Sequence, residues 1–482
     1  MNARAVLKSL LQPVDARVPA IFRVAIGLVA TLDFTDRLRD AFTFYSSQGL
    51  LAPDTGTGSV DLLPSVLLGA SASPTRVMIF FVFGFVALTC FTLGYRTRLA
   101  AVLTWIAVFT IQMRNRTICD GGDTLLRILC FWALFVDLGG RLSLDVWLGR
   151  RPAQATVPGL PVRLLRLQLA LVYLTAGLSK SGASWLDGSA VYYAVQSMDF
   201  GRPLGVLLAA HPMLARAVAF STVVIEVAFA PLVLVPLRTT AARALGLALG
   251  LALHVGIALT MRVGIFSWVL PASYTIFLSP HWIDAALRRV RGRTARAATV
   301  APPVSDGAAL DLNVTRRSAL FWGALSLQMG AVVCQLILGK GGGHWAPPVY
   351  RELAALGLSQ TWTMFSPEPP KRLNRFSANG VGTDGTQIDV LARAAPLLSP
   401  DHALFYSRWF KYRSDLARAE PADLAAFGRY LCRRYNGETT GAKLARFTLT
   451  LHWRELSPPG GVTTPAWQQA DVLQQPCLSA AP

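Results

Sequence analysis

The chain has 482 residues and a formal net charge of +19, yet 53% of its residues are hydrophobic and only 15% are charged. A water-soluble domain carries about a quarter charged residues, so the composition excludes an ordinary soluble enzyme and points to a polytopic membrane protein. Nucleic-acid binding is excluded too. There is no basic helix with interleaved aromatics, and the arginines gather in alternate loops, as the positive-inside rule requires.

Residues 1–17 are short and basic (Arg4, Lys8, Arg17) and lack a signal peptide ending at a small-residue cleavage site, so they are expected in the cytoplasm. Apolar runs long enough for a hydrocarbon core of about 30 Å then recur. They predict spans at about 18–35, 75–94, 99–113, 124–139, 164–180, 214–236, 244–261, 264–280 and 318–338. The polar loop 36–73 is read as outer, the turn Tyr95-Arg-Thr-Arg98 as inner, 114–123 as outer, and the loop with Arg141, Arg150, Arg151 and Arg163 as inner. The segment 181–213 is read as outer, with Trp185, Tyr192 and Tyr193 forming an interfacial helix at headgroup level. Residues 288–317, with seven arginines and a Pro/Ala-rich middle, are read as a flexible cytoplasmic linker. The ninth span therefore exits outward.

Past Gly341-Gly-Gly the charge content becomes normal, which predicts a separate soluble domain. Arg375 to Val390 reads as a hairpin around Thr383-Asp384-Gly385, and residues 402–435 as helical. Phe447, Leu449, Leu451 and Trp453 alternate as in a half-buried strand. The expected fold is thus mainly α: a transmembrane helical bundle of about nine spans over 1–340, then a small extracytoplasmic α+β domain over 341–482. That domain contains Cys432 and Cys477. Outside the cell they are expected to form a disulfide; two unpaired buried thiols are the alternative.

Lysine is rare, occurring at positions 8, 180, 340, 371, 411 and 443, and only Lys180 lies within the body of the apolar region. A guanidinium stays protonated, whereas a poorly solvated amine can lose its proton and act as a base. The plainer reading is a lysine that snorkels to the headgroups. Glu226, about halfway along the sixth span, and His254, in the seventh, extend a polar line inward from Lys180. Arg114, Arg116, Asp120, Asp123, Arg127, Asp187 and Arg262, with Trp185, are placed at the outer mouth, as a site for an anionic substrate. A structural network pinning helices together is the alternative for all of them. There is no CxxC or HExxH motif and the six histidines are scattered, so no metal is expected. Gly339-Lys340-Gly-Gly-Gly lacks the spacing of a P-loop.

Several of these pieces occur together in one family. Gly121-Gly-Asp-Thr-Leu-Leu-Arg127 leads to Leu142-Ser-Leu-Asp145. Tyr173-Leu-Thr-Ala-Gly-Leu-Ser-Lys180 precedes Trp185-Leu-Asp-Gly188, and Glu226, His254 and Gly264-Ile-Phe266 come after. In this order they resemble the HTTM group, the membrane domain shared with vitamin K-dependent gamma-carboxylases, over most of residues 15–285. Trp362-Thr-Met-Phe365-Ser-Pro is similar to the stretch beyond the last span in bacterial members. The resemblance implies reduced vitamin K or a menaquinol-like hydroquinone as cofactor and Lys180 as the base that deprotonates it. Glu226 and His254 accompany Lys180 as catalytic groups. The implied partners are the bilayer and an exported peptide or protein, with no nucleic acid. Animal carboxylases carry a histidine where Gly122 and Asp123 stand here. A carboxylate there would repel a substrate glutamate, which speaks against glutamate carboxylation and leaves quinone chemistry open. A non-catalytic maturation or assembly factor for an exported peptide is the second reading. A transporter is the third, and there is no inverted repeat to support it.

Overall fold

Local capping signals set the helix boundaries in this computed structural model, which describes residues 11–50, 66–69, 71–197, 200–234, 240–291, 330, 357–394, 407–461 and 465–478. Helix α1 (Arg17–Leu38) is followed by α2 (Pro74–Leu93). Ser73 caps α2 by accepting the Arg76 N–H at 3.2 Å, Pro74 occupies the first turn, and Gly94 stops it at φ +72°. In α3 (Thr97–Arg114) the cap comes from afar: Asp145 accepts the backbone N–H groups of Arg96 and Thr97 at 2.8 and 2.9 Å. Helix α4 (Gly121–Ala133) opens on a reciprocal capping box between Asp120 and Asp123. Then come α5 (Gly159–Ser179), α6 (Pro212–Leu234), α7 (Thr240–Thr260) and α8 (Phe266–Ser273).

Among the described residues, five helices, α1, α2, α5, α6 and α7, are long and apolar enough to cross a bilayer. The expected span at 99–113 coincides with α3. The one at 124–139 corresponds to the 13 residues of α4, after which the chain turns and is pinned by an Asp137–Arg151 ion pair at 2.9 Å. The span expected at 264–280 is α8 continuing into a 3-10 turn, Tyr274–Phe277. The span expected at 318–338 lies, except for Gly330, outside the described residues. The segment read as one interfacial helix is three short ones, Ala183–Leu186, Ala190–Gln196 and Pro203–Ala209. Trp185 and Tyr193 are buried within it rather than spread at the surface.

The carboxyl-terminal residues form an antiparallel sheet of β1 (Arg372–Gly382), β2 (Gln387–Asp389), β3 (Leu444–Glu455) and β4 (Gln468–Pro476), in spatial order β2-β1-β3-β4. The hairpin turn falls on Thr383–Gly385, where Gly385 takes φ +82°. Phe447, Leu449 and Leu451 turn inward as the alternation predicts. Helices α9 (Arg408–Leu416) and α10 (Pro421–Glu438) accompany the sheet, and a Cys432–Cys477 disulfide ties α10 to the end of β4.

This region is joined to the helices by both packing and charge. The Trp409 ring lies 5.0 Å from that of Phe44. Arg408 enters a closed cluster in which Arg37 pairs with Asp33 at 2.8 Å and with Asp123 at 2.5 Å. Arg408 pairs with Asp33 and, at 3.1 Å, with Asp123. The Tyr45 hydroxyl accepts from Arg37 at 2.7 Å. The side chains of Asp33, Arg37 and Asp123 are fully enclosed.

Candidate functional site

Lys180 stands at the carboxyl end of α5, and its ammonium turns inward to Glu226 of α6 at 2.6 Å. The two side chains are only 5% and 12% exposed, so Lys180 does not snorkel to the surface. The approach depends on Gly177. A Cβ there would lie 2.9 Å from Val227 and 3.1 Å from the Glu226 Cβ, which would push α6 away. Nζ also reaches the Ala176 carbonyl at 3.3 Å and lies 5.1 Å from the centre of the Trp185 ring. A buried ion pair is thus closed above by an indole face.

The loop that follows Lys180 is clamped by a distant segment, 357–368. The Trp185 indole donates to the Phe365 carbonyl at 2.7 Å, and Gly182 N–H donates to that of Pro367 at 3.2 Å. Glu368 accepts the Ser184 N–H at 3.0 Å as well as its hydroxyl proton, and pairs with Lys371 at 3.0 Å. Burial works against the Glu368 carboxylate, but the bonds from Ser184 and Lys371 outweigh it and hold the group below its usual range. Gln360 and Gln168 of α5 pair through their amides at 2.8 Å, and the Trp362 indole donates to Gln360 at 2.9 Å.

His254 lies apart from the Lys180–Glu226 pair. Its Nε2 is 2.6 Å from the Tyr173 hydroxyl, which in turn meets the Tyr274 hydroxyl. Tyr173 stacks on Phe229 at 4.0 Å, one turn beyond Glu226. The buried His254 Nδ1 has no hydrogen-bond partner among the described residues. Lys180, Glu226 and this aromatic layer are therefore consecutive levels of the α5–α6 contact, with Tyr173 about 10 Å below Lys180 at 1.5 Å per residue.

The residues expected at the outer mouth are dispersed. Asp123 is enclosed in the arginine cluster. Arg114 is buried and donates to the Tyr45 carbonyl at 3.2 Å. Arg127 is buried too, donating to the Gly357 carbonyl at 2.5 Å and to Gln112 at 2.7 Å. Asp187 caps the Ser189 N–H at 2.7 Å on the surface, Arg262 lies over the Phe410 ring at 5.2 Å, and Arg116 is exposed. Trp185 alone of this set touches Lys180. Sequence reading missed the Asp33–Arg37 pair, although its i,i+4 spacing inside an apolar helix is a signal. It also missed Arg408, Tyr173, Tyr274 and Glu368, which only long-range contacts bring in. Among the described residues, no group of three or more His, Cys, Asp or Glu is placed to hold a metal ion.

The family model for the HTTM domain matches residues 11–282. The chain belongs to the HTTM domain family. That family is related to vitamin K-dependent carboxylase-like proteins. The chain is similar to the sporulation-delaying protein SdpB of Bacillus subtilis (strain 168), with 24% identity over 202 residues, covering 40% of this chain and 61% of SdpB. It is also similar to the uncharacterized protein YitO of the same strain, with 27% identity over 114 residues, covering 23% of this chain and 37% of YitO. The matched regions thus span about three fifths and just over a third of these relatives. No solved structure matches the chain.

Proposed function

We propose that this HTTM protein is a multi-pass membrane enzyme that handles a proton at the Lys180–Glu226 pair in hydroquinone-dependent, carboxylase-like modification of an exported peptide or protein. The observation that carries the reading is the amine held 2.6 Å from a carboxylate in an almost dry site. A low-dielectric surrounding penalises two ions. Moving one proton from Nζ to Oε2 leaves two neutral groups and a free amine lone pair, the state a general base requires. When the proton returns, the Trp185 face supports the ammonium.

On this reading Lys180 and Glu226 would offer a reduced quinone an acceptor and a donor for a phenolic hydroxyl, beside the Trp185 ring. Bound there, such a group would supply an acidic hydroxyl and reducing electrons. Segment 357–368 would hold the Lys180 loop and shield it from water. His254 and Tyr173 would orient the deeper, aromatic end. On this reading the amino end lies in the cytoplasm and the sheet outside; the arginine bias and the Cys432–Cys477 disulfide support this orientation.

The test is aerobic oxidation of menaquinol by the purified protein in nanodiscs. The expected result is turnover that Lys180→Ala and Lys180→Arg both abolish, because a guanidinium keeps its proton. Wild-type protein that neither binds nor oxidises a hydroquinone would refute the reading. The second reading, a non-catalytic maturation factor, is favoured by one observation: most candidate polar groups are already bonded to other residues of the fold. It predicts full function in a variant that lacks the amine but folds.

A further inference from the structure

Two neighbouring cavities lie where α2 turns into α3, at the end of the bundle opposite Lys180 along the chain's up-and-down course. One, of about 570 Å³, is lined by Arg96, Arg98, Arg150 and Arg151 around Asp145. The other, of about 360 Å³, shares Thr97 and Arg98 with it and is otherwise walled largely by apolar groups, among them Ala101, Val136, Leu138, Pro158 and Pro161. A strongly cationic cavity thus adjoins one walled mostly by apolar residues.

The charge there is not balanced from within. Both oxygens of Asp145 are engaged, by the N–H of Arg96 at 2.8 Å and by the N–H and hydroxyl of Thr97 at 2.9 and 2.7 Å. Asp137 is committed to Arg151 at 2.9 and 3.0 Å. The guanidinium of Arg150 rests on the Tyr95 ring at 4.4 Å, and Arg96, Arg98 and Arg150 are exposed. Around them Leu93, Leu99 and Leu148 are about half exposed and Trp147 is 79% exposed. Exposed leucines beside an exposed tryptophan and arginines are the composition of a bilayer interface.

We propose that these adjoining cavities bind one anionic glycerophospholipid. Its phosphate would sit among Arg96, Arg98 and Arg150, and one acyl chain would lie in the cavity lined by Ala101 and Leu138. Charge complementarity selects an anion, and the apolar extension selects a lipid over a free phosphate. Neither feature involves the Lys180–Glu226 pair, so the proposal stands independently of the enzymatic reading.

The experiment is native mass spectrometry of the full chain in detergent, titrated separately with dioleoyl-phosphatidylglycerol and dioleoyl-phosphatidylcholine, and with the phosphatidylglycerol in the presence of millimolar inorganic phosphate. Phosphatidylglycerol should bind at least tenfold more tightly than phosphatidylcholine, and inorganic phosphate should not displace it. Arg98→Ala/Arg150→Ala should weaken phosphatidylglycerol roughly 30-fold. Arg98→Lys/Arg150→Lys should keep most of the preference, and Arg98→Gln/Arg150→Gln, expected to weaken phosphatidylglycerol as the alanine variant does, serves as the test if the alanine variant does not fold. Equal binding of both lipids, or unchanged affinity in the variants that remove both charges, would overturn the proposal. Displacement by inorganic phosphate would overturn it too, by showing an anion site without a chain slot.

Discussion

Replacing Arg408 by alanine should destabilise the protein severely. The cluster balances on Arg37 and Arg408 against the fully enclosed Asp33 and Asp123, with Asp36, 24% exposed, at 3.5 Å from Arg408. Without Arg408, a single guanidinium faces two carboxylates that water cannot reach. Leaving such a charge unpaired costs about 3–5 kcal/mol, against a total stability of roughly 5–15 kcal/mol. The loss is therefore a 100-fold or greater fall in the folded-to-unfolded ratio, measured by reversible unfolding in detergent micelles. Adding Asp123→Asn restores the one-to-one balance of Arg37 with Asp33, so the double variant should recover at least about 2 kcal/mol. A loss below about 1 kcal/mol for Arg408→Ala, or no recovery in the double variant, would refute the account of this cluster.

Two other outcomes are expected from the structure. Cys432→Ser/Cys477→Ser opens a loop of sequence separation 45, and chain entropy puts the loss at up to about 4 kcal/mol. In the wild type, both thiols should resist maleimide until a reductant is added. The second concerns acid. Burial disfavours the Asp145 carboxylate, but its bonds from Thr97 and Arg96 outweigh that and lower its pKa. Its contribution is therefore complete above the ordinary carboxylate value of about 4 and is lost as pH falls through the lower folded value. Thermal melts below about pH 4 should show a shallower slope in Asp145→Asn than in the wild type.

The legible parts of the chain were those with local signals. Ser73, Pro74 and Gly94 bracket α2 almost where hydropathy alone placed it. The alternation of Phe447, Leu449 and Leu451 gave β3, and Thr383–Gly385 gave its neighbouring hairpin. Periodicity overran α4, because Leu134, Phe135, Val136 and Leu138 are apolar yet belong to a turn closed by Asp137 and Arg151. At the site, Lys180 and Glu226 were recognisable as costly ions in apolar helices, and costly ions find each other. The mouth residues were not, since hydropathy cannot distinguish an arginine facing a substrate from one donating to Gly357 or Tyr45. Arg408 lies 375 residues from Asp33, and no local pattern joins them.

Lys180→Ala alone strands Glu226, so lost activity in that variant has two explanations. Lys180→Met/Glu226→Met removes both charges together at similar side-chain volume and should unfold near the wild-type temperature, since replacing a whole buried pair by apolar side chains of similar size is often neutral. Menaquinol oxidation by this stable double variant is the decisive measurement. The proton-handling account predicts turnover at background. Turnover at the wild-type rate would contradict it and leave the pair a strut between α5 and α6.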